Sequence, residues 1–162
     1  MALTSAQLTT LKAAILADPT LSAQPLTSGG AQFIADAMNA AAVPAFTVWK
    51  SNVSIAATGQ AFNGTELAGM TTANQTRLQT IAQYLSGGYN PALADVRQMF
   101  NDIWSGAGGT TTRANLLALW KRFATRAEKL FATGTGSDAS PAVLVFEGVV
   151  SSADVQQARE LP

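Results

Sequence analysis

The chain has 162 residues, ten Lys and Arg against ten Asp and Glu, and neither histidine nor cysteine. The length fits one domain with a core of its own. The missing residue types remove the commonest general base near neutral pH, the thiolate nucleophile and the usual zinc ligands.

Thr4 or Ser5 can cap a first helix in which Leu8, Leu11, Ala14 and Ile15 recur at steps of three and four. Asp18-Pro19 stops it, because the residue before proline is pushed out of the helical region. Turn signals at Gln24-Pro25 and Ser28-Gly29-Gly30 lead into a second helix over about 31–41, with Phe33, Ile34, Ala37 and Met38 apolar. Pro44 breaks the chain. The run Ala45-Phe46-Thr47-Val48-Trp49-Lys50 alternates like a strand but is short and flanked by alanine; a strand or a helix start both fit, with helix narrowly preferred.

Residues 54–70 are weakly patterned, with Gly59, Asn63-Gly64 and Gly69 interrupting. A third helix is predicted over about 72–85 through Leu78, Ile81 and Leu85, closed by Ser86-Gly87-Gly88. Asn90-Pro91 opens the next, with asparagine as cap and proline at the first helical position. Its stripe is Leu93, Val96, Met99, Phe100, Ile103 and Trp104, and Gly106 to Gly109 is a flexible break. The last long helical stretch covers about 112–132, with Leu116, Leu119, Trp120 and Phe123 on one side. Inside it, Thr125-Arg126-Ala127-Glu128 fits a capping box, so a fresh start is expected there.

After residue 132 the pattern changes. Residues 133–141 have the composition of a flexible linker. Ala142-Val143-Leu144-Val145-Phe146-Glu147-Gly148 is the one convincing strand-like run. A short helix capped by Ser151 or Ser152 closes the chain through Val155, Ala158 and Leu161. The expected fold class is mainly α. A compact helical domain over 1–132 is followed at 133–162 by a linker and an extended C-terminal arm with one short strand and a terminal helix, a single domain overall.

Chemistry-bearing patterns are sparse. The ten carboxylates are scattered, and Asp95 with Asp102, two helical turns apart, reads as a pair of solvated surface charges. No enzyme, metal or cofactor is expected. Gly134-Thr135-Gly136 lacks the third glycine of a dinucleotide fingerprint and the lysine of a phosphate loop. Trp49, Trp104 and Trp120 read as core rather than a ligand cage. Glycosylation-like triplets at Asn52, Asn63 and Asn74 read as chance matches, since the N-terminal sequence lacks a basic region followed by a long apolar run. No stretch approaches the roughly 18–20 apolar residues that span a bilayer, so no membrane partner and a cytoplasmic synthesis are expected. Only 12% of residues are charged, about half the usual globular fraction. So weakly charged a surface suits a protein covered by neighbours.

Charge is uneven along the chain. Arg113, Lys121, Arg122, Arg126 and Lys129 stand against Glu128 alone in 113–129, while Asp138, Glu147, Asp154 and Glu160 stand against Arg159 in 130–162. This is either a solvated helix face with an ordinary tail, or complementarity between subunits. In the second case an arm carrying Val143, Val145, Phe146, Glu147 and Asp154 would add to a neighbour as an edge strand and meet its basic face. A third reading turns the basic helix towards DNA phosphates, as a channel lining would.

Several stretches resemble a family of tailed-bacteriophage and prophage virion structural proteins. They are Leu11 to Pro19 (LKAAILADP), Ile34 to Asn39 (IADAMN), Pro44 to Lys50 (PAFTVWK) and Ala124 to Ala142 (ATRAEKLFATGTGSDASPA), continuing through Phe146-Glu147-Gly148, Asp154-Val155 and Ala158-Arg159. The resemblance covers both ends of the chain; the middle, about 51–112, matches poorly. It implies a virion protein made in the host bacterial cytoplasm, and it brings no catalytic residues. Among virion roles, the layout suits a head–tail connector or neck adaptor ring, an analogy of architecture. Its partners would be further copies in the ring, portal or neighbouring neck, tail or capsid proteins, and packaged DNA along a channel. The alternatives are a capsid decoration or minor head protein, and a soluble phage regulatory or host-interaction protein.

Overall fold

A computed structural model describes residues 3–162. Among them the protein is mainly helical: α1 (Ser5–Ala17), α2 (Pro19–Ser22), α3 (Ser28–Asn39), α4 (Ile55–Ala61), α5 (Gly64–Ala68), α6 (Thr72–Tyr84), α7 (Ala94–Ile103), α8 (Thr110–Trp120), α9 (Arg126–Phe131) and α10 (Ser152–Glu160). Two strands, β1 (Thr47–Trp49) and β2 (Lys121–Phe123), pair in a two-stranded sheet. No helix among the described residues is long and apolar enough to cross a membrane.

The chain divides into two compact units. One joins the residues up to Val48 with Phe123–Pro162, and the other is Trp49–Arg122. The second is therefore inserted into the first. Both passages of the chain between them fall in the sheet strands.

In the outer unit, α1 begins where expected. Thr4 Oγ1 accepts the Gln7 amide and the Gln7 side chain returns to the Thr4 amide, a capping box. Asp18 ends α1 and caps α2, accepting the Thr20 amide at 2.9 Å. Leu11, Ile15, Ile34, Met38, Ala127, Phe131, Phe146, Val150, Val155 and Ala158 form one buried cluster. Each fully buried aliphatic or aromatic side chain there contributes about 1.5–3 kcal/mol. Helix α10 packs against both α1 and α3. Ser151 and Asp154 form its capping box, and the Asp154 carboxylate also accepts the Leu3 amide. Asn39 clamps the chain before α10, donating to the Val150 carbonyl at 2.8 Å and accepting its amide at 2.9 Å.

The inserted unit is built on aromatic residues. Phe100 lies between Tyr89 and Trp120, with ring centroids 5.2 and 5.7 Å away, and Phe62 packs on Trp104 at 5.3 Å. Arg97 stacks over Trp49, 4.2 Å from its centroid, while donating to the Pro91 and Ala92 carbonyls. Helix ends here are closed by distant side chains. Asn115 donates to the Ala61 carbonyl, Asn74 to that of Ile103, and Arg113 to those of Trp104 and Gly106.

Three expectations are corrected. First, residues 133–162 are not an extended arm: Phe146, Val150, Val155 and Ala158 complete the outer unit's core, so the boundary at 132 does not exist. The segment read as a linker is pinned, because Gly136 accepts the Thr47 amide at 2.7 Å and Thr133 exchanges both backbone bonds with Val143 at 2.9 Å. Second, residues 142–148 form no strand. Only Ala142 and Val143 make isolated bridges, to Val48 and Thr133. Third, residues 45–50 contain strand β1 rather than a helix start. The three residues of β1 are all buried, as in a strand covered on both faces.

Smaller shifts follow local chemistry. The helix over 112–132 is split, since Lys121–Phe123 is extended and Thr125 caps α9 with Glu128 as the capping box predicted. The Asn90 side chain caps a turn, accepting the Ala92 amide, and α7 starts only at Ala94. Two short helices occupy the weakly patterned 54–70, each capped by its own Ser54 or Asn63.

Candidate functional site

The ten residues expected at an interaction site separate into three groups. Four are used inside the fold. Arg113 closes α7 in the inserted unit. Arg126 donates to the Asp18 carboxylate at 2.9 Å and holds its pKa below the usual range. Phe146 packs edge-on against Phe131 at 5.3 Å. Asp154 is buried in its capping box; burial alone would raise its pKa, but bonds from Ser151 and Leu3 outweigh that and keep it low. So buried a carboxylate, already bonded to Ser151 and Leu3, is not open to a neighbour's basic face.

A second group, Lys121 and Arg122, lies half-buried on β2. The five cations do not form one basic helix. Arg113 is on α8, Lys121 and Arg122 are on β2, and Arg126 and Lys129 are on α9 of the other unit.

The third group is at the surface. From Ala142 to Val150 the chain bends at Val145 and at Gly148, whose φ is +138°; Ala142, Phe146 and Val150 are buried, while Val143, Val145, Glu147 and Val149 are exposed. Val145 and Val149 are 68% and 70% exposed. Among the described residues the backbone of Val145 and Phe146 makes no hydrogen bond to another backbone group. The result is an exposed, mostly apolar segment held over a buried one.

Elsewhere on the same unit a groove of about 440 Å³ opens between α1, α3 and α9. Ala14, Met38 and Leu130 give it an apolar lining, Val43 stands beside it at 86% exposure, and Arg126 and Lys129 supply positive charge. The Lys129 ammonium lies 5.6 Å from the Phe46 ring centroid. With Asp18 committed to Arg126, Lys129 carries the groove's unneutralised charge. Sequence reasoning named Arg126, Lys129, Val143 and Val145 but missed Val43, Met38 and Val149. Val143 and Val145 were visible as part of an apolar, strand-like run; a groove between three helices has no linear signature.

No protein-family model, curated protein or solved structure matches this chain.

Other depressions offer little chemistry. One of about 600 Å³ between α6 and α7 is lined by Thr76, Arg77, Ile81, Met99 and Asp102. A smaller one of about 230 Å³ beneath α4 is walled by Ile55, Phe62, Leu78 and Phe100. Its Thr58 hydroxyl is already bonded to Ser54 and Tyr89, so nothing there would orient a polar ligand. Among the described residues no group of three or more acidic side chains is placed to hold a metal ion. What the surface can do is make apolar contacts framed by a few charges.

Proposed function

We propose that the protein is a structural subunit of a tailed-phage particle, specifically a subunit of a head–tail connector or neck ring, acting by assembly rather than catalysis. The observation that carries this reading is the agreement between resemblance and folding unit. The stretches that resemble phage virion proteins all lie within residues 11–50 and 124–159, and nearly all of them belong to the outer unit. The poorly matching middle is the inserted unit. A likeness scattered over 150 residues of sequence thus belongs to one compact body, as it should if that body has a shared role and the insertion is this chain's own.

The surface supports the same reading. Leu26, Val43, Val145 and Val149 are largely exposed on that unit, on a chain with few charges to offset them. Apolar surface of this kind is normally covered by a partner. The ring also accommodates a head-to-tail contact, because two different patches that match one another close into a ring when the rotation permits.

Quantitative mass spectrometry of purified, DNA-filled particles tests the assignment. A copy number of about a dozen supports a ring of cyclic symmetry. A number near that of the major capsid protein moves the assignment to decoration, and absence from particles refutes a virion role.

A further inference from the structure

We infer that the outward row Val145, Glu147 and Val149 of one copy docks into the α1–α3–α9 groove of a second copy, a head-to-tail contact that repeats from subunit to subunit. This deepens the ring reading above and rests on it for its biological setting, though not for its physics.

The two surfaces match in three respects. The row is apolar, acidic, apolar, and the groove is an apolar trough of Ala14, Met38 and Leu130 carrying the uncompensated charge of Lys129. Both belong to the same compact unit, so each copy presents both halves with no change of fold. They share no residue, so one copy can use both at once, which makes the contact heterologous and the assembly a ring or filament rather than a closed pair.

Local geometry suits insertion. Val145, Glu147 and Val149 stay exposed within five residues of one another along a segment that bends at Val145 and Gly148. The inward neighbours Phe146 and Val150 are buried and the latter is clamped by Asn39, so the row is held from beneath. Little ordering is then needed on binding, which favours association. A groove of about 440 Å³ has the capacity of a small-ligand pocket and holds two valine side chains with ease. Glu147 can reach Lys129 while keeping other donors, because a carboxylate accepts several bonds.

The chain's lack of cysteine allows a direct test on the full-length protein. Val43→Cys and Val145→Cys change two well-exposed positions and are prepared separately under reduction. On mixing and mild oxidation, the inference predicts disulfide-linked dimers that contain one of each, in large excess over dimers from either variant alone. No mixed dimer, or equal yields from all three samples, overturns it. A second readout uses charge. Glu147→Lys should weaken self-association in sedimentation by about tenfold, as expected for a pair turned to repulsion at an interface. Adding Lys129→Glu in the same chain should restore it; unchanged self-association in Glu147→Lys overturns the contact. Particle mass spectrometry stays separate. A chain found in particles whose Val43/Val145 pair never cross-links keeps its virion role and loses this contact, and a chain that cross-links but is absent from particles does the reverse.

Discussion

Glu66 accepts the backbone amide of Thr112 at 2.8 Å across 46 residues of chain, and its second oxygen takes the Thr111 amide at the same distance. Thr111 and Thr112 are the second and third residues of α8, whose own cap position is Gly109 with no side chain to offer. A carboxylate on α5 therefore does for α8 what an N-cap residue usually does for its own helix. The Thr112 hydroxyl answers by accepting the Asn63 amide at 3.0 Å, so the starts of two helices are clasped together.

This clasp makes the inserted unit sensitive to acid. Partial burial would raise the Glu66 pKa, but bonds from Thr112 and Thr111 dominate and bring it from 4.5 down to about 2. A group whose pKa is lowered on folding stabilises the protein above its unfolded value and loses that contribution as pH falls through its folded one. Stability should therefore decline between about pH 4.5 and 2. Glu66→Gln should be less stable at neutral pH and show a flatter acid limb in denaturant titrations across that range. An acid limb identical to the wild type would show that the clasp has no thermodynamic weight.

Tyr89 is the centre of the other polar cluster in this unit. Its oxygen accepts the Trp120 indole N–H at 2.8 Å and lies 2.6 Å from the Thr58 hydroxyl. Thr58 already donates to the Ser54 carbonyl, so Tyr89 donates to Thr58. All three side chains are buried. Tyr89→Phe strands a buried indole donor and should cost about 1–3 kcal/mol, read from urea unfolding followed by tryptophan fluorescence. A cost near zero would mean that water reaches the cluster.

Helices with strong local grammar were legible in the sequence: Thr4, one of two expected caps, starts α1, Thr125 caps α9 where its capping box predicted, Asp18-Pro19 stops α1, and Ser151, one of two expected caps, starts α10. The errors came from composition used as a substitute for contacts. Thr133 to Pro141 is polar and rich in glycine, yet its backbone groups find partners in Thr47 and Val143, which no local pattern announces. The run from Ala142 to Gly148 is apolar like a strand and does cover the core through Ala142 and Phe146, but only Ala142 and Val143 find bridge partners. Of the candidate site, Val145 and Glu147 were readable, while Val149 and the groove were not, since the groove's walls come from residues more than 100 positions apart.

If 133–162 were an arm, its removal would leave a folded domain. The structure predicts the opposite, because the deletion takes Phe146, Val150, Val155 and Ala158 from the core. Circular dichroism of the truncated chain should show loss of the cooperative transition of the outer unit. The milder Phe146→Ala removes the edge contact to Phe131 and should cost about 3–5 kcal/mol. A truncated chain that melts like the full one would restore the arm.

Two glycines separate rigid from permissive backbone. Gly136 has φ of +66°, and a Cβ added there would strike the Phe46 ring. Gly136→Ala should destabilise by more than about 1 kcal/mol, the penalty for a left-handed alanine alone. Gly59 lies within α4 with open space around it. Gly59→Ala should stabilise by about 0.5–1 kcal/mol. Thermal melts of the pair should move in opposite directions; a neutral Gly136→Ala would mean that residues 133–141 are as loose as their composition suggested.

The insertion itself can be tested by excision. The Lys50 amide donates to the Trp120 carbonyl at 2.8 Å, so the two ends of the inserted unit lie side by side. In the outer unit the Ala124 amide donates to the Phe46 carbonyl at 2.9 Å, so its broken chain also has adjacent ends. The two bonds join positions that advance along one strand as they recede along the other, an antiparallel arrangement that a two-residue turn can close. Replacing residues 49–121 by Asn-Gly, which joins the paired Val48 and Arg122, should give a chain that keeps the outer unit's buried cluster. Dispersed amide resonances and a single cooperative melt are the expected result. If the shortened chain is unfolded while the full one is stable, the outer unit needs its insertion to fold.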